Sequence, residues 1–337
     1  MPMRNATVFA APHRVMFLAG MTCLLAAALL WTVELGLRLA GAGSIPVPAP
    51  AGWLHGIAMI YGVLPFFIFG FAMTAMPRWQ GLPALVPAVF RGTAAGLAFG
   101  APLAFAGMWI PAMAGIGAAL VLAGWALGAI DLARVAMHRT ADRVHLIVAS
   151  LALCAGLLGA SILAAGFFLD QPVLARAGIE IGIWWFLAPI FVAVSHRVIP
   201  FFSSTALPGY AVHRPMWALW VLLAVAVSHG VLSIAGASAW LWLADLPGAV
   251  AALYLTACWR LGRSFENRLL AMHHIAFLWL GVALVLLGVQ SLLAGAGAPV
   301  LGLGPLHALT IGFFGSMLFG MATRVTIGHS GQRVFAG

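Results

Sequence analysis

The sequence predicts an all-α, polytopic transmembrane bundle of about ten helices with both termini cytoplasmic, and three observations predict it. Of 337 residues, 64% are hydrophobic and only 7% charged, whereas a water-soluble domain carries roughly 25% charged residues to solvate its surface. The apolar residues fall into runs long enough to cross a hydrocarbon core of ~30 Å as helix, about 20 residues each. Finally, the basic residues collect on one side of those runs.

Ten segments meet the length requirement, because unpaired backbone groups are too costly in hydrocarbon for any open structure. The first five run from Val15 to Leu39, Trp53 to Met76, Gly92 to Ile110, Ala112 to Val135 and Val144 to Leu169. The second five run from Gly178 to Ile199, Pro215 to Ala235, Ala237 to Arg260, Leu269 to Ala294 and Leu306 to Thr326. The turns at Pro111 and near Ser238 are tight. The whole chain, 1–337, reads as a single transmembrane domain without a soluble domain, low-complexity linker or long tail.

The arginines test this count, since each added or dropped helix would reverse the side of every later loop. Arg4, Arg14, Arg78, Arg91, Arg134, Arg139, Arg143, Arg197, Arg214, Arg260, Arg263, Arg268, Arg324 and Arg333 fall on one side; only Arg38 and Arg176 fall on the other. The positive-inside rule makes the first side cytoplasmic. The two exceptions have carboxylates at helical spacing, Glu34 before Arg38 and Glu180 after Arg176.

The net charge of +9 would suggest nucleic-acid binding in a soluble protein, but single arginines between apolar runs form no basic patch, so that class is excluded. Cys23, Cys154 and Cys258 lie in apolar stretches without a CxxC motif or disulfide framework, and read as packing residues. The first apolar run follows no short core with a small-residue cleavage site, so it reads as a retained span.

Ionisable groups inside spans mark function by default, and eleven histidines are the abundant ones. Imposing the topology sorts them into two tiers. His55, His229 and His307 reach the outer half, while His196, the pair His273 and His274, and His329 lie at the inner boundary. His13, His138, His145 and His213 read as interfacial. Neutral imidazole suits haem iron and copper, and bundles build such sites from facing helices; hydrogen-bonded helix contact is the alternative. Asp245, in the outer part of the eighth helix, is either a proton-relay member or the partner of a cap or histidine.

Three inward-running helices end alike, in Ala75-Met76-Pro77-Arg78-Trp79, Ser195-His196-Arg197-Val198-Ile199-Pro200 and Ala322-Thr323-Arg324-Val325. Their arginines can clamp an anion such as a haem propionate, or snorkel to headgroups. The motifs stand four helices apart, a spacing that hints at a weak internal repeat.

Four stretches together resemble one family. His307-Ala308-Leu309-Thr310 through Gly320-Met321-Ala322-Thr323-Arg324-Val325 to Gly328-His329-Ser330-Gly331 is similar to the C-terminal signature of the NnrS family, HALT-x-G followed by GM-x-TRV and GH-[ST]-G. Thr74-Ala75-Met76-Pro77-Arg78-Trp79-Gln80-Gly81 resembles its TA-x-P-x-W-x-G, Arg197-Val198-Ile199-Pro200-Phe201-Phe202 its RVIP-x-F, and His274-Ile275-Ala276-Phe277-Leu278-Trp279 its H-x-x-[YF]-x-W. The resemblance implies a bacterial inner-membrane protein holding haem b and copper, acting in denitrification and nitrosative-stress defence. Two departures stand out. Where the family has H-x-H-E-M, this chain has His55-Gly56-Ile57-Ala58-Met59, lacking one histidine and the glutamate. The family is also usually described with twelve helices.

The function expected is therefore a haem- and copper-binding membrane protein that binds nitric oxide or relays electrons at intramembrane histidines, with a quinone or cytochrome as candidate donor and no nucleic-acid partner. His55, His196, His229, His274, His307 and His329 are the candidate metal ligands. Of these, His55, His274 and His307 are the candidates for the cofactor, with Arg197 and Arg324 as its anchors. A nitric oxide reductase-like redox enzyme and a small-molecule or metal transporter are the rival classes; no paired broken helices favour transport.

Overall fold

The computed structural model describes residues 8–138, 143–298 and 300–329. Among them it forms ten helices long and apolar enough to cross a membrane, and no strand. These are α1 (Pro12–Leu39), α2 (Ala51–Trp79), α3 (Pro87–Ala106), α4 (Pro111–Met137), α5 (Val144–Phe168), α6 (Pro172–Ala206), α7 (Met216–Ile234), α8 (Ser238–Cys258), α9 (Arg268–Gly295) and α10 (Gly304–Gly328). The count and order agree with the expected spans. Prolines at the first turns of α1, α3, α4 and α6 punctuate the starts, where the missing amide hydrogen costs nothing. Arg4, Arg139, Arg333 and the side chain of His329 lie outside the described residues.

The chain divides into two compact units, Met1–Gly182 and Ile183–Gly337. In the first, α3 and α4 meet through small residues that bring backbone against backbone. A β-carbon added to Gly96 would stand 2.7 Å from Gly124 Cα, and one on Gly100 would stand 2.7 Å from Val121 N. Hydrocarbon tails offer no hydrophobic drive for helix association, so such close contact supplies the attraction. Tyr61 donates to Gly178 O at 2.6 Å and Trp125 Nε1 to Leu153 O at 2.8 Å. Of the two arginines expected to pair internally, Arg38 does so with Glu34 at 2.6 Å. Arg176 does not pair with Glu180; it has no ion-pair partner among the described residues, and Glu180 interacts elsewhere.

In the second unit, α9 packs on α8 and α10. Gly281 and Gly288 of α9 receive Leu253 and Leu246 of α8, and Gly312 of α10 lies under the indole of Trp279. Three helices contain π-helical segments: Ala58–Val63 in α2, Gly182–Leu187 in α6 and Ala308–Gly315 in α10. These are the same three helices that end in the arginine motifs. The wide turns are therefore a second feature recurring every four helices, and π turns concentrate at functional positions.

Candidate metal-binding histidines

A histidine can bind a metal only through a nitrogen that carries a lone pair, so the acceptors around each ring decide which are available. A carbonyl oxygen only accepts, so a ring nitrogen bonded to one carries the proton. By this reasoning His196, whose Nε2 meets Pro215 O at 3.2 Å, spends that nitrogen on the backbone. His274 does likewise. The Ser203 hydroxyl donates its one proton to Ile199 O at 2.9 Å and so accepts from His274 Nε2 at 3.0 Å.

Three other rings in the second unit are turned the opposite way. His273 Nδ1 donates to Leu269 O at 2.7 Å, His307 Nδ1 to Leu303 O at 2.9 Å, and His229 Nδ1 to Asp245 Oδ1 at 2.6 Å. Each leaves Nε2 as the lone-pair nitrogen. His307 is exposed, whereas His273 and His229 are 0% and 3% exposed.

His273 is the more unusual. Its Nε2 is buried without a hydrogen-bond partner among the described residues, and an unsatisfied buried polar atom costs about 1–3 kcal/mol. Against the ring lies Gly320 of α10, where an added β-carbon would stand 3.3 Å from both Cε1 and Nε2. Phe202 meets the ring edge-on at 5.3 Å, and the Arg324 guanidinium stacks on the same Phe202 at 3.6 Å. Arg324 has no acidic partner among the described residues. A lone-pair nitrogen, a position kept free of side chain and an uncommitted planar cation thus share one end of α9 and α10.

His229 sits toward the other end. Trp184, from the π-helical turn of α6, stacks on its ring at 3.5 Å with the planes inclined by 21°. Asp245 is 0% exposed, and its Oδ2 has no partner among the described residues.

In the first unit His55 stacks on Trp31 at 4.5 Å. Both border a small, largely apolar cleft of about 40 Å³, whose walls include Leu54, Phe105 and Trp109. Glu34 borders it too, with its oxygens committed to Arg38 and to Ile45 N. Arg197 is half-buried and has a partner of its own.

Of the ligands expected from sequence, His229 and His307 keep Nε2 as the lone-pair nitrogen, while His196 and His274 direct Nε2 to protein acceptors, which leaves the lone pair on Nδ1. His273 was legible only as half of a doublet. Trp184 carried no sequence signal, because one indole among thirteen tryptophans says nothing about stacking. Among the described residues no three His, Cys, Asp or Glu side chains assemble as a metal cluster. An ion held by protein alone needs three or four such donors. A haem brings four nitrogens of its own and asks the protein for one or two axial ligands, which is what isolated imidazoles supply.

A family model described as NnrS protein matches residues 7–337. No curated protein and no solved structure gave a match.

Proposed function

The chain belongs to the NnrS family, and from that premise we propose that it is a bacterial inner-membrane haem protein that takes up nitric oxide within the bilayer. The observation that carries this reading is the buried, unpartnered Nε2 of His273. It is an axial donor already in the right tautomer, since the Leu269 carbonyl holds the proton on Nδ1.

The residues present fit a haem. His273 would ligate the iron, the bare Gly320 lets α10 pack against one face of the ring and hold it, and Arg324, stacked on Phe202, presents a fork suited to a propionate. Bound haem supplies an iron with a coordination position open to a diatomic ligand. The protein's part is to hold the imidazole in one orientation and to keep water out with apolar helix faces. Nitric oxide is small, neutral and soluble in lipid, so it reaches such a site from the membrane. We assign the role expected of His274 to its neighbour His273, because His274 Nε2 is engaged with the Ser203 hydroxyl whereas His273 Nε2 is bonded to nothing among the described residues. Among the described residues no three His, Cys, Asp or Glu side chains cluster, and we assign no residue to copper.

The test is an optical spectrum of protein purified from haem-replete cells. A Soret band that shifts on adding nitric oxide is expected, with the haem population weakened at least about tenfold in His273→Ala and retained in His274→Ala. A cofactor-free wild type, or equal haem in all three proteins, would overturn the reading.

A further inference from the structure

The turn that joins α8 to α9 places an arginine where the backbone favours glycine. Arg260 follows the end of α8 and Trp259, with φ of 60° and ψ of 56°. In that left-handed conformation a β-carbon crowds the next carbonyl oxygen, and glycine is the usual residue at this point past a helix end. The Arg260 side chain is exposed and makes no hydrogen bond or ion pair among the described residues. A residue held in a sparsely populated conformation without a structural partner points to a role beyond the fold.

The surroundings of Arg260 show which role. Residues 183–337 hold two carboxylate side chains, Asp245 and Glu266. Asp245 lies about 20 Å along α8 from its end at Cys258, and Glu266 is paired with Arg263 at 3.2 Å, so neither neutralises Arg260. The loop before α7 is fastened to the same turn, the buried Trp259 indole donating to His213 O at 3.0 Å and Arg263 Nη2 to Pro208 O at 3.1 Å. Burial pushes the Tyr210 hydroxyl of that loop up and the Arg260 charge acts against it, which sets the guanidinium near the loop. Exposed aromatic side chains border this region: Trp217 at the start of α7 and Tyr254 one turn before the end of α8 have ring centroids 5.1 Å apart, with His213 Nε2 3.4 Å from Tyr254 Oη. Tryptophan and tyrosine exposed at the ends of spans mark the level of the lipid headgroups.

We propose that Arg260 binds the phosphate of an anionic phospholipid, whose glycerol and upper acyl chains lie against Trp217 and Tyr254. The guanidinium offers paired donors that match phosphate oxygens. Its charge is uncompensated, which favours a headgroup of net negative charge over one whose phosphate is balanced by choline or ethanolamine. The aromatic pair gives an acyl chain an apolar surface for which a soluble anion has no use. This site is independent of haem.

The test places the full chain in nanodiscs of phosphatidylcholine with or without phosphatidylglycerol. Native mass spectrometry measures the phosphatidylglycerol retained, and thermal unfolding is followed alongside. Arg260→Gly removes the charge and relieves the backbone, Arg260→Gln removes the charge alone, and Arg176→Gln alters an exposed arginine elsewhere. Affinity for phosphatidylglycerol should fall about fivefold in both Arg260 variants, one arginine's share near an anionic surface, and stay within about twofold in Arg176→Gln. In phosphatidylcholine alone, Arg260→Gly should unfold about 2 °C above wild type and Arg260→Gln should show no gain. Phosphatidylglycerol should stabilise wild type and Arg176→Gln more than either Arg260 variant. Equal retention in wild type and Arg260→Gln would overturn the site. An equal fall in Arg176→Gln would do the same, since it would leave only the general attraction of arginines to an anionic surface. A lower unfolding temperature for Arg260→Gly in phosphatidylcholine would show that the arginine holds the fold together instead of serving a ligand. Glycerol phosphate added in solution that displaces the retained lipid and stabilises wild type equally would make the ligand a soluble phosphate and overturn the lipid assignment.

Discussion

Replacing Gly320 by alanine separates the candidate centre at His273 from ordinary helix packing. The added methyl would stand 3.3 Å from His273 Cε1 and Nε2, against a comfortable carbon contact of about 3.5–4.0 Å. The ring or helix must yield by a few tenths of an ångström, at a cost near the low end of overpacking, about 1 kcal/mol. Alanine in a helix interior recovers roughly 0.5–1 kcal/mol relative to glycine. The unloaded protein should therefore unfold within a few degrees of wild type. Haem binding should respond far more, because the methyl stands on the ring face beside Nε2, in space that a macrocycle bonded there must share. A loss of at least about tenfold in haem affinity is expected, roughly 1.4 kcal/mol, and more in Gly320→Val. Titrating haem into unloaded protein while following thermal unfolding reads both quantities. Haem affinity within a factor of two of wild type in both variants would refute the assignment of His273.

Arg324→Lys keeps the charge but loses the planar stack on Phe202 and the paired donors, so haem retention should fall severalfold, as measured by haem dissociation to apomyoglobin. In the first unit, Tyr61→Phe removes a buried hydrogen bond to Gly178 O and should cost about 1 kcal/mol in thermal stability. An alanine at Gly159 would run into the Tyr61 hydroxyl, at about 1–3 kcal/mol. Combined with Tyr61→Phe the two costs should be less than additive by at least about 0.5 kcal/mol; strict additivity would show that the two groups do not meet. Reporters fused after the last residue should be active only as cytoplasmic fusions, following the arginine distribution.

The helices were legible because lipid imposes a length and a polarity that composition displays directly. Even the tight turn before Pro111 was placed to within a residue at the start of α4, since proline at the first helical turn is itself a signal. The site was legible only by residue type. Sequence spacing brought His229 and Asp245 to similar depth, but their 2.6 Å contact depends on the relative rotation of α7 and α8, which no local pattern encodes. The choice between His273 and His274 was equally hidden. Neighbours in sequence point about 100° apart on a helix, and what separates them is a Ser203 hydroxyl 71 positions away. The stray Arg176 shows the converse. Its helical spacing from Glu180 was favourable, yet the pair is not made.

The π-helical segment of α10 makes the candidate centre at His273 sensitive to where along the helix the chain is shortened, in a way substitutions would not reveal. A π turn holds about one residue more than an α turn. Removing one residue from Ala308–Gly315 would let the helix close into regular α geometry without loss of hydrophobicity or span. Because the wide turn already absorbs that extra residue, the helix beyond it would keep nearly the same face, with Gly320 against His273 and Arg324 on Phe202. Removing a residue from the regular α-helical turn that follows, from Ser316 onward, would instead swing everything downstream by about 100° around the axis and carry both off together, in a chain that inserts into the membrane as before.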